Sequence, residues 1–431
     1  MKICMFTNTY LPHVGGVARS VSTFAVDLRL KGHEVLIIAP TFPSVRPGTD
    51  EEAGVFRVPA LQNFNGSDFS VRLPIPYYAH ERIEAFAPDI VHSHHPFLLG
   101  DTALRTSRAR GLPLLFTHHT LYENYTHYVP FDAEIVKSFV IRLSTEYANL
   151  CCGVIAPSGS VARLLRSRGV ERQIAEIPTG VDIDFLGSGQ GERFRRQHHL
   201  AGSTALIGHV GRLAAEKNLL FLARAVAIYL RQNRSSRFVA VGRGDAEKEM
   251  GQIFARAGVH DQVLMTGPLV HGELADAYQA MDLFVFTSQS ETQGLVLAEA
   301  MAAGTPVLAL DASGAREVVE DRRNGRLLTA QASEEEFARA IEEFFHDPVA
   351  AQAWRHQARH TARQFSRTAC ADRLIGFYEQ ILHRHSTARE TPKVDLGEWL
   401  SVMEMLKAEW QLLSEKMAAA VQAVKAGERE S

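Results

Sequence analysis

The chain has 431 residues, of which 46% are hydrophobic and 22% charged, and this length and composition predict an ordinary globular protein with two domains. The formal net charge of −3 gives no sign of a general polyanion binder, so no nucleic-acid partner is expected. The four cysteines lack metal-type spacing, and no apolar run has the length of a signal peptide or a membrane span. We therefore expect packing cysteines, a reducing compartment and a cytoplasmic location, with at most peripheral membrane contact.

The first forty residues contain the pattern of a βαβ unit. A buried run, KICMFTN, precedes apolar residues at helical spacing from Val17 to Leu30, then Gly32 and a second buried run, EVLIIAP. Further apolar runs at 90–92, 114–117, 153–157 and 175–178 alternate with helical segments. This alternation predicts a parallel sheet covered on both faces, in a Rossmann-like domain over residues 1–186.

The same alternation restarts in the second half of the chain. The segment 187–202 is rich in Gly, Gln and Arg, which indicates a linker or long loop. Buried runs then recur, each before a helical stretch: ALIGHVG, FVAVGRG, VLMTGPL, DLFVFTS and TPVLALD. The pattern predicts a second doubly wound α/β domain over residues 203–365, with ligands bound at the carboxyl ends of strands in a cleft between the domains.

Two helices are predicted beyond the second domain. Residues 366–386 are expected to cross back to the N-terminal domain. Residues 393–428 form a long amphipathic pattern, because apolar side chains follow a 4-3-4-3 spacing from Trp399 to Val424. A coiled coil that makes a homo-oligomer and a helix lying on its own domain both remain open. Membrane anchoring fits less well, since residues 393–431 carry five basic against seven acidic side chains.

The loop TNTYLPHVGGVARS places Gly15 and Gly16 between the first strand and the first helix. Two residues without side chains let the backbone approach a ligand, and a helix start offers free N–H groups to an anion. The spacing is not the G-x-G-x-x-G of a nicotinamide site, which disfavours a dehydrogenase. The alternative is an ordinary turn.

Two basic residues follow the first strand of the second domain. HVGRLAAEKN puts Arg212 and Lys217 at the carboxyl end of that strand, where they can hold a pyrophosphate and neutralise charge that builds on it. The alternative is a solvated basic pair near Glu216.

Two carboxylates bracket the stretch ETQGLVLAEA. Glu291 is expected in a loop after the strand DLFVFTS, and Glu299 about two turns into the following helix, whose free N–H groups come from Gly294 and Leu295. The first acid can accept hydrogen bonds from sugar hydroxyls, the second from the paired hydroxyls of a ribose, with a phosphate at the helix start between them. A nucleoside diphosphate sugar satisfies all three. Taken alone, Glu299 would be a helix carboxylate exposed to water.

From Met1 to Arg384 the chain resembles the retaining GT-B glycosyltransferases that carry the E-x7-E motif, through GRLAAEKN and ETQGLVLAEAMAAGTPVLA. This resemblance implies that Glu291 contacts the transferred sugar and Glu299 the ribose. It implies that Arg212 and Lys217 contact the diphosphate.

The resemblance also extends to the N-terminal domain. It implies that Gly16 lies on the donor phosphate side and that His119, in FTHHTLYENY, lies near the anomeric carbon, with His118 the less favoured candidate. It further implies retention of configuration. Because no side chain is an obvious nucleophile, we expect a same-face displacement in which the leaving diphosphate accepts the acceptor's proton.

Gln293 stands where family members often have Phe. Together with HTLYENYTHYVP, it most resembles the branch that glycosylates diacylglycerol and related lipids, which implies a lipid or other hydroxyl acceptor. A basic membrane-facing patch would suit such an acceptor, and the alternative is solvated helix faces. The candidates for the patch are Arg105, Arg108, Arg110, Arg163, Arg166 and Arg168.

Two patterns resemble metal sites: DID at 182–184 and HSHH at 92–95. DID falls where the family has a structural turn, and no Cys or carboxylate completes a site around the histidines. No metal and no cofactor are therefore expected. The donor is expected to be UDP-glucose or a related UDP-hexose; a sugar-nucleotide epimerase and a non-catalytic sugar-nucleotide binding protein remain alternatives.

Overall fold

The computed structural model describes residues 1–13, 15–42, 54–61, 71–72, 79–123, 133–270 and 272–387. Val14 of the glycine loop and the amphipathic pattern over 393–428 lie outside these ranges, as does most of HTLYENYTHYVP.

The N-terminal strands are β1 (Lys2–Phe6), β2 (Glu34–Pro40), β3 (Val55–Val58), β4 (Ala60–Leu61), β5 (Val71–Arg72), β6 (Ile90–Ser93), β7 (Leu114–Thr117), β8 (Gly153–Ala156) and β9 (Ile174–Glu176). Five of them, β1, β2, β6, β7 and β8, are buried along most of their length, as apolar runs without alternation require. Seven of them form a parallel sheet in the order β3-β2-β1-β6-β7-β8-β9, while β4 and β5 pair separately. The helices are α1 (Gly16–Leu30), α2 (His80–Phe86), α3 (Leu99–Arg110), α4 (Ala133–Leu150) and α5 (Gly159–Ser167).

Two short helices, α6 (Ile183–Gly187) and α7 (Gly191–Gln197), lead into the second sheet. Its strands are β10 (Leu206–Val210), β11 (Arg237–Val241), β12 (Val263–Gly267), β13 (Leu283–Phe286), β14 (Val307–Leu310) and β15 (Gly325–Leu328), all parallel in the order β12-β11-β10-β13-β14-β15. Its helices are α8 (Leu219–Gln232), α9 (Glu247–Arg256), α10 (Gly272–Ala280), α11 (Leu295–Ala302), α12 (Glu334–His346) and α13 (Pro348–Ala362). The expectation of two Rossmann-like α/β sheets is confirmed.

Strand order fixes where a ligand can enter each sheet. The order reverses between β1 and β6 in the first sheet and between β10 and β13 in the second. Loops that leave two such strands diverge to opposite faces, so a crevice opens at their carboxyl ends. The loops after β1, β6, β10 and β13 are therefore the ones to search for a site.

The segment 187–202, expected to be a linker or long loop, contains the helix α7, so the expectation of a loop is wrong. Phe194 is buried there, and Asp276 of α10 accepts a hydrogen bond from the Gln190 N–H at 2.6 Å. Glu192 in the first turn and Arg195 in the last also suit the helix dipole. The local composition suggested a loop, but burial of one aromatic side chain and pairing with α10 stabilise a helix.

The last described helix, α14 (Arg367–Thr387), packs on the N-terminal sheet. Phe377 and Tyr378 share a buried cluster with Ile3 and Leu115. The chain passes between the sheets at two adjacent points, since the Val181 N–H donates to the Phe365 carbonyl at 2.8 Å and the Arg367 N–H donates to the Val181 carbonyl at 3.1 Å.

Candidate active site

The loops after β10 and β13 bring Lys217 and Glu291 together. Lys217 ends a short 3₁₀ turn, Ala215–Lys217, and its Nζ donates to Glu291 Oε1 at 2.5 Å. Arg212, two residues after β10, pairs with Glu216 four residues later, and the Arg212 side chain is 55% exposed. The two basic residues expected at a diphosphate therefore lie at the predicted strand end, each beside a carboxylate.

Glu299 is the fifth residue of α11, just over one turn from its start, so the expected two turns are too many. Its side chain is 1% exposed, which overturns the alternative of a helix carboxylate in water. The Tyr278 hydroxyl of α10 donates to Oε2 at 2.8 Å, and Arg19 of α1 pairs with Oε1. Burial, followed by the Glu299 charge, raises the pKa of Tyr278 well above its usual value, so the phenol remains a hydrogen-bond donor.

Gln293, between the two acids, ties their loop to the connection between the sheets. Its Oε1 accepts from the Thr179 N–H and its Nε2 donates to the Thr179 carbonyl, both at 2.8 Å. The Thr179 hydroxyl in turn donates to Ser20 Oγ of α1 at 2.7 Å. A buried amide with two backbone bonds is a structural anchor, a role that sequence reasoning missed when it treated Gln293 only as a departure from Phe.

Gly294 caps α11 with a φ of +74°, in the left-handed region that favours glycine, and Leu295 begins the helix. A Cβ at Gly294 would lie 2.6 Å from the Gly314 carbonyl oxygen. Gly314 has a φ of +85°, and a Cβ there would lie 2.5 Å from Glu291 Cβ. The two glycines let the loops after β13 and β14 touch, which fixes the start of α11 beside Glu291.

The glycine pair of the first domain lies at the start of α1. Gly15 is its extended N-cap, with φ −170°, and Gly16 is its first residue. A Cβ at Gly16 would meet no heavy atom within 4 Å. Open space therefore adjoins the helix start at which an anion was expected.

Histidines line the ends of β6 and β7. The His119 Nε2 lies 2.9 Å from the His94 Nδ1, and one of the two nitrogens donates to the other. His118 is fully buried between the rings of Phe116 and Tyr122, and neither of its ring nitrogens has a hydrogen-bond partner in the described part of the chain.

Burial keeps these imidazoles neutral. It lowers the pKa of His119 and of His94 well below the usual value, with further lowering from neighbouring histidines, and lowers the pKa of His118 to about 4. At neutral pH each ring offers one N–H donor and one acceptor. His119 can therefore hydrogen-bond a hydroxyl but carries no charge.

The other two histidines of HSHH have structural partners. His92 lies between the Tyr378 hydroxyl and Thr117 Oγ1, each 2.7 Å from a ring nitrogen, and the His95 Nδ1 accepts from the Asn8 N–H at 3.1 Å. Burial lowers the pKa of both to about 3. Within the described ranges no three His, Cys, Asp or Glu side chains are grouped as a metal site.

Asp182 of the DID pattern caps α6. Its carboxylate accepts from the Phe185 N–H at 3.0 Å and pairs with Arg367 at 3.3 Å. Both contacts are structural, at the point where the chain passes between the sheets.

Two arginines of the candidate basic patch are bound within the fold. Arg108 donates to the Leu150 carbonyl at 3.0 Å, and Arg168 pairs with Glu123 at 2.5 Å with both side chains 14% exposed. Neither is a freely solvated charge. None of the described helices combines the length and hydropathy needed to cross a bilayer.

Comparison with known proteins identifies the family to which this chain belongs. The profile of "Glycosyl transferases group 1" matches residues 190–361, and that of "Glycosyltransferase Family 4" matches residues 14–185. The chain is 30% identical over 332 residues to an alpha-monoglucosyldiacylglycerol synthase of Streptococcus pneumoniae, covering 76% of this chain and 75% of the relative. It is 30% identical over 396 residues to a GDP-mannose-dependent alpha-mannosyltransferase of Mycobacterium tuberculosis, covering 90% and 98%. The chain belongs to the group 1 glycosyltransferases.

Solved structures of other proteins share its fold. Sucrose-phosphate synthase from Thermosynechococcus elongatus aligns with a TM-score of 0.73 at 22% identity, over 89% of this chain and 99% of that one. Anabaena Alr3699/HepE in complex with UDP aligns with a TM-score of 0.72 at 21% identity, over 88% and 100%. The fold of this glycosyltransferase is thus the two-sheet GT-B architecture.

Proposed function

We propose that the protein transfers a hexose from a nucleoside diphosphate sugar to a hydroxyl group of an acceptor, with retention of configuration. The observation that carries the proposal is the placement of the two acids of the E-x7-E motif. Glu291 and the nearly inaccessible Glu299 flank the start of one short helix, and each is paired with a cation.

Donor binding would exchange partners in these pairs. A hexose hydroxyl can donate to Glu291 in place of Lys217, which frees the ammonium group for a phosphate oxygen. The exposed guanidinium of Arg212 can leave Glu216 for the same diphosphate. Ribose hydroxyls can donate to Glu299, and the start of α11 favours an anion between the acids. Glu291 and Glu299 thus each keep a hydrogen-bond donor while the diphosphate gains cations.

The chemistry follows from where charge develops. As the bond between the anomeric carbon and the diphosphate oxygen breaks, Lys217, Arg212 and the helix start stabilise the negative charge on the leaving group. The acceptor oxygen bonds to the same face of the carbon, and its proton passes to the leaving diphosphate. We assign Gly16 and the N-terminal end of α1 to the phosphate side and His119 to the neighbourhood of the sugar. Gly15, which has no side chain, lets the backbone before α1 come close to the donor.

The donor is UDP-glucose or a related UDP-hexose in the first instance. Support comes from the relative named as a monoglucosyldiacylglycerol synthase and from the UDP-bound neighbour of the same fold. A second candidate is GDP-mannose, favoured by the match to 98% of the mannosyltransferase. The acceptor is a hydroxyl-bearing lipid such as diacylglycerol, supported by the same synthase and by the chain's local resemblance to that branch.

Incubation with radiolabelled UDP-, GDP- and ADP-hexoses, with and without diacylglycerol in mixed micelles, tests the proposal. We expect label in the lipid fraction with one donor only, and an α-linked product from an α-linked donor by proton NMR. Isomerisation of the free nucleotide sugar would indicate an epimerase. Label that is merely retained on a filter with the protein would indicate a non-catalytic binder.

A further inference from the structure

Three cations at the candidate site are each paired with a carboxylate. Two pairs, Lys217 with Glu291 and Arg212 with Glu216, lie within the second sheet's loops. The third joins the sheets, because Arg19 of α1 pairs with Glu299 of α11. No sequence motif points to Arg19, and its contact with the proposed ribose-binding acid raises the question of what it does when a donor occupies that acid.

The two members of the Arg19–Glu299 pair differ in exposure, which suits an exchange of partners by Arg19. Glu299 is 1% exposed, whereas the Arg19 side chain is 50% exposed. A guanidinium carries five N–H donors in a planar fork, and contact with one carboxylate oxygen uses only part of that capacity. Glu299 is held on its other oxygen by the Tyr278 hydroxyl. The acid is therefore fixed, while the arginine has solvent-facing donors and a long side chain.

The turn of α1 that carries Arg19 is connected by hydrogen bonds to the loop between Glu291 and Glu299. The Oγ of Ser20, the residue after Arg19, accepts a hydrogen bond from the Thr179 hydroxyl. The side chain of Gln293, which lies between the two acids, makes two hydrogen bonds to the Thr179 backbone. Arg19 is also in the same helical turn as Gly16, beside which there is open space. The structure thus places a half-exposed guanidinium against a buried carboxylate, in the first turns of the helix at whose start we propose a phosphate.

We propose that Arg19 is a donor-binding residue that exchanges Glu299 for the diphosphate of the bound nucleotide. This inference rests on the proposed function. In a nucleoside diphosphate the ribose and the first phosphate are joined by one ester linkage, so a ribose that reaches Glu299 brings an anion beside Arg19. Ribose hydroxyls replace the guanidinium at the acid, and the phosphate replaces the acid at the guanidinium. Glu299 thus keeps hydrogen-bond donors, and Arg19 keeps an anionic partner.

This exchange predicts opposite effects on two classes of ligand. A nucleoside without phosphates must displace Arg19 from Glu299 and offers Arg19 no anion in exchange. A nucleoside diphosphate offers Arg19 a phosphate. Removal of the guanidinium should therefore weaken binding of the diphosphate but leave binding of the nucleoside unchanged or make it tighter.

The experiment is calorimetric titration of the full chain and its Arg19→Gln variant with UDP, GDP, uridine and guanosine. For the nucleoside diphosphate that the wild type prefers, we expect affinity to fall at least about tenfold, the usual effect of losing a hydrogen bond to a charged group. Affinity for the matching nucleoside should not fall. Arg224→Gln is the matched control, because Arg224 is 47% exposed and pairs with Glu334 between α8 and α12. It should bind both ligands as the wild type does.

A second comparison separates direct contact from an effect through the acid. In a Glu299→Gln background, Arg19→Gln should still weaken diphosphate binding if the guanidinium touches the phosphates. Loss of the effect in that background, or undiminished diphosphate binding by Arg19→Gln, would overturn the inference alone. If Arg19→Gln fails to fold, Arg19→Met provides the same test, since it also removes the charge and the N–H donors. Failure of the wild type to bind any nucleoside diphosphate would instead overturn the proposed function.

Discussion

At the scale of single residues, the candidate site is a set of ion pairs. Lys217 is predicted to contact phosphate and Glu291 to contact sugar, and in the structure the Lys217 Nζ donates to Glu291 Oε1 at 2.5 Å. Such pairing avoids leaving an isolated charge in a partly closed site, which would be costly.

Replacement of Lys217 or Arg212 by Ala should lower kcat by roughly 10²-fold or more, because each removes a cation from the developing charge on the leaving group. Initial rates at saturating donor measure the effect. Lys31→Ala is the control, since Lys31 pairs with Asp372 at 2.6 Å, away from the loops after β10 and β13. Near-normal turnover in Lys217→Ala would remove the phosphate clamp from the mechanism.

Tyr278→Phe should raise the donor KM by roughly 5- to 30-fold with little change in kcat. The change removes the hydroxyl that donates to Glu299 Oε2 at 2.8 Å, and loss of a partner to a buried charged group costs about 1–2 kcal/mol. Tyr229→Phe is a matched control, because its hydroxyl lies 3.1 Å from Ser236 Oγ in the second domain's core. A selective fall in kcat would instead place Tyr278 in the chemical step.

Several site residues gave a sequence signal and several did not. Arg212, Lys217, Glu291 and Glu299 lie at recognisable distances from predicted strand ends, so local spacing was enough to find them. The partners Arg19, Tyr278 and Thr179 lie far away in sequence, and pairing across elements leaves no periodic pattern. Gln293 was visible only as an unexpected residue, because its role depends on Thr179.

At the scale of elements, the loop after β13 depends on close backbone approach. Gly294 and Gly314 each have positive φ, and each would clash with the other's loop if it carried a Cβ. This contact aligns the start of α11 with Glu291, so the geometry of the E-x7-E segment depends on Gly294 within it and Gly314 in the loop after β14.

Gly294→Ala should therefore destabilise the protein by roughly 2–4 kcal/mol, combining the cost of positive φ with overpacking against the Gly314 carbonyl. Denaturant unfolding measures the change. Gly258→Ala separates the two terms, because Gly258 has a φ of +69° with no heavy atom within 4 Å of the added carbon. We expect it to cost only about 1 kcal/mol. Equal losses in the two variants would show that the close approach contributes nothing.

At the scale of the whole molecule, most strands of both sheets were predictable because they are continuous apolar runs bounded by turn residues. The strands β3 and β15 were not predicted, because each is a four-residue segment that contains an arginine. The run at 114–117 coincides with β7, and that at 90–92 falls one residue short of the end of β6. The segment 187–202 was misread because its Gly and Arg content resembles a loop. Only the tertiary contacts of Phe194 and Asp276 reveal the helix.

Buried histidines should make the whole fold sensitive to mild acid. Burial lowers the pKa of His92 and His95 to about 3 and that of His118 and His209 to about 4, whereas an unfolded chain has a histidine pKa of about 6.5. The unfolded state therefore binds more protons below pH 6.5. Stability is fully present above that pH and falls as the pH decreases, by up to about 1.4 kcal/mol per pH unit for each histidine.

Urea unfolding at pH 7.5, 6.0 and 5.5, where most carboxylates stay ionised, measures this loss. His209→Phe should reduce the loss, since the ring stacks on Phe284 with centroids 6.0 Å apart and a phenyl group cannot titrate. A pH dependence identical to that of the wild type would show that His209 is not among the groups responsible.

The return of α14 to the first sheet has a consequence for biosynthesis. Phe377 and Tyr378 cover part of that sheet, yet they emerge from the ribosome long after β9 has been made. At 5–20 residues per second the delay is roughly 10–40 s. Throughout that interval the nascent N-terminal half presents an uncovered apolar face, so its survival in the cell should depend on holdase chaperones until translation reaches the final helix.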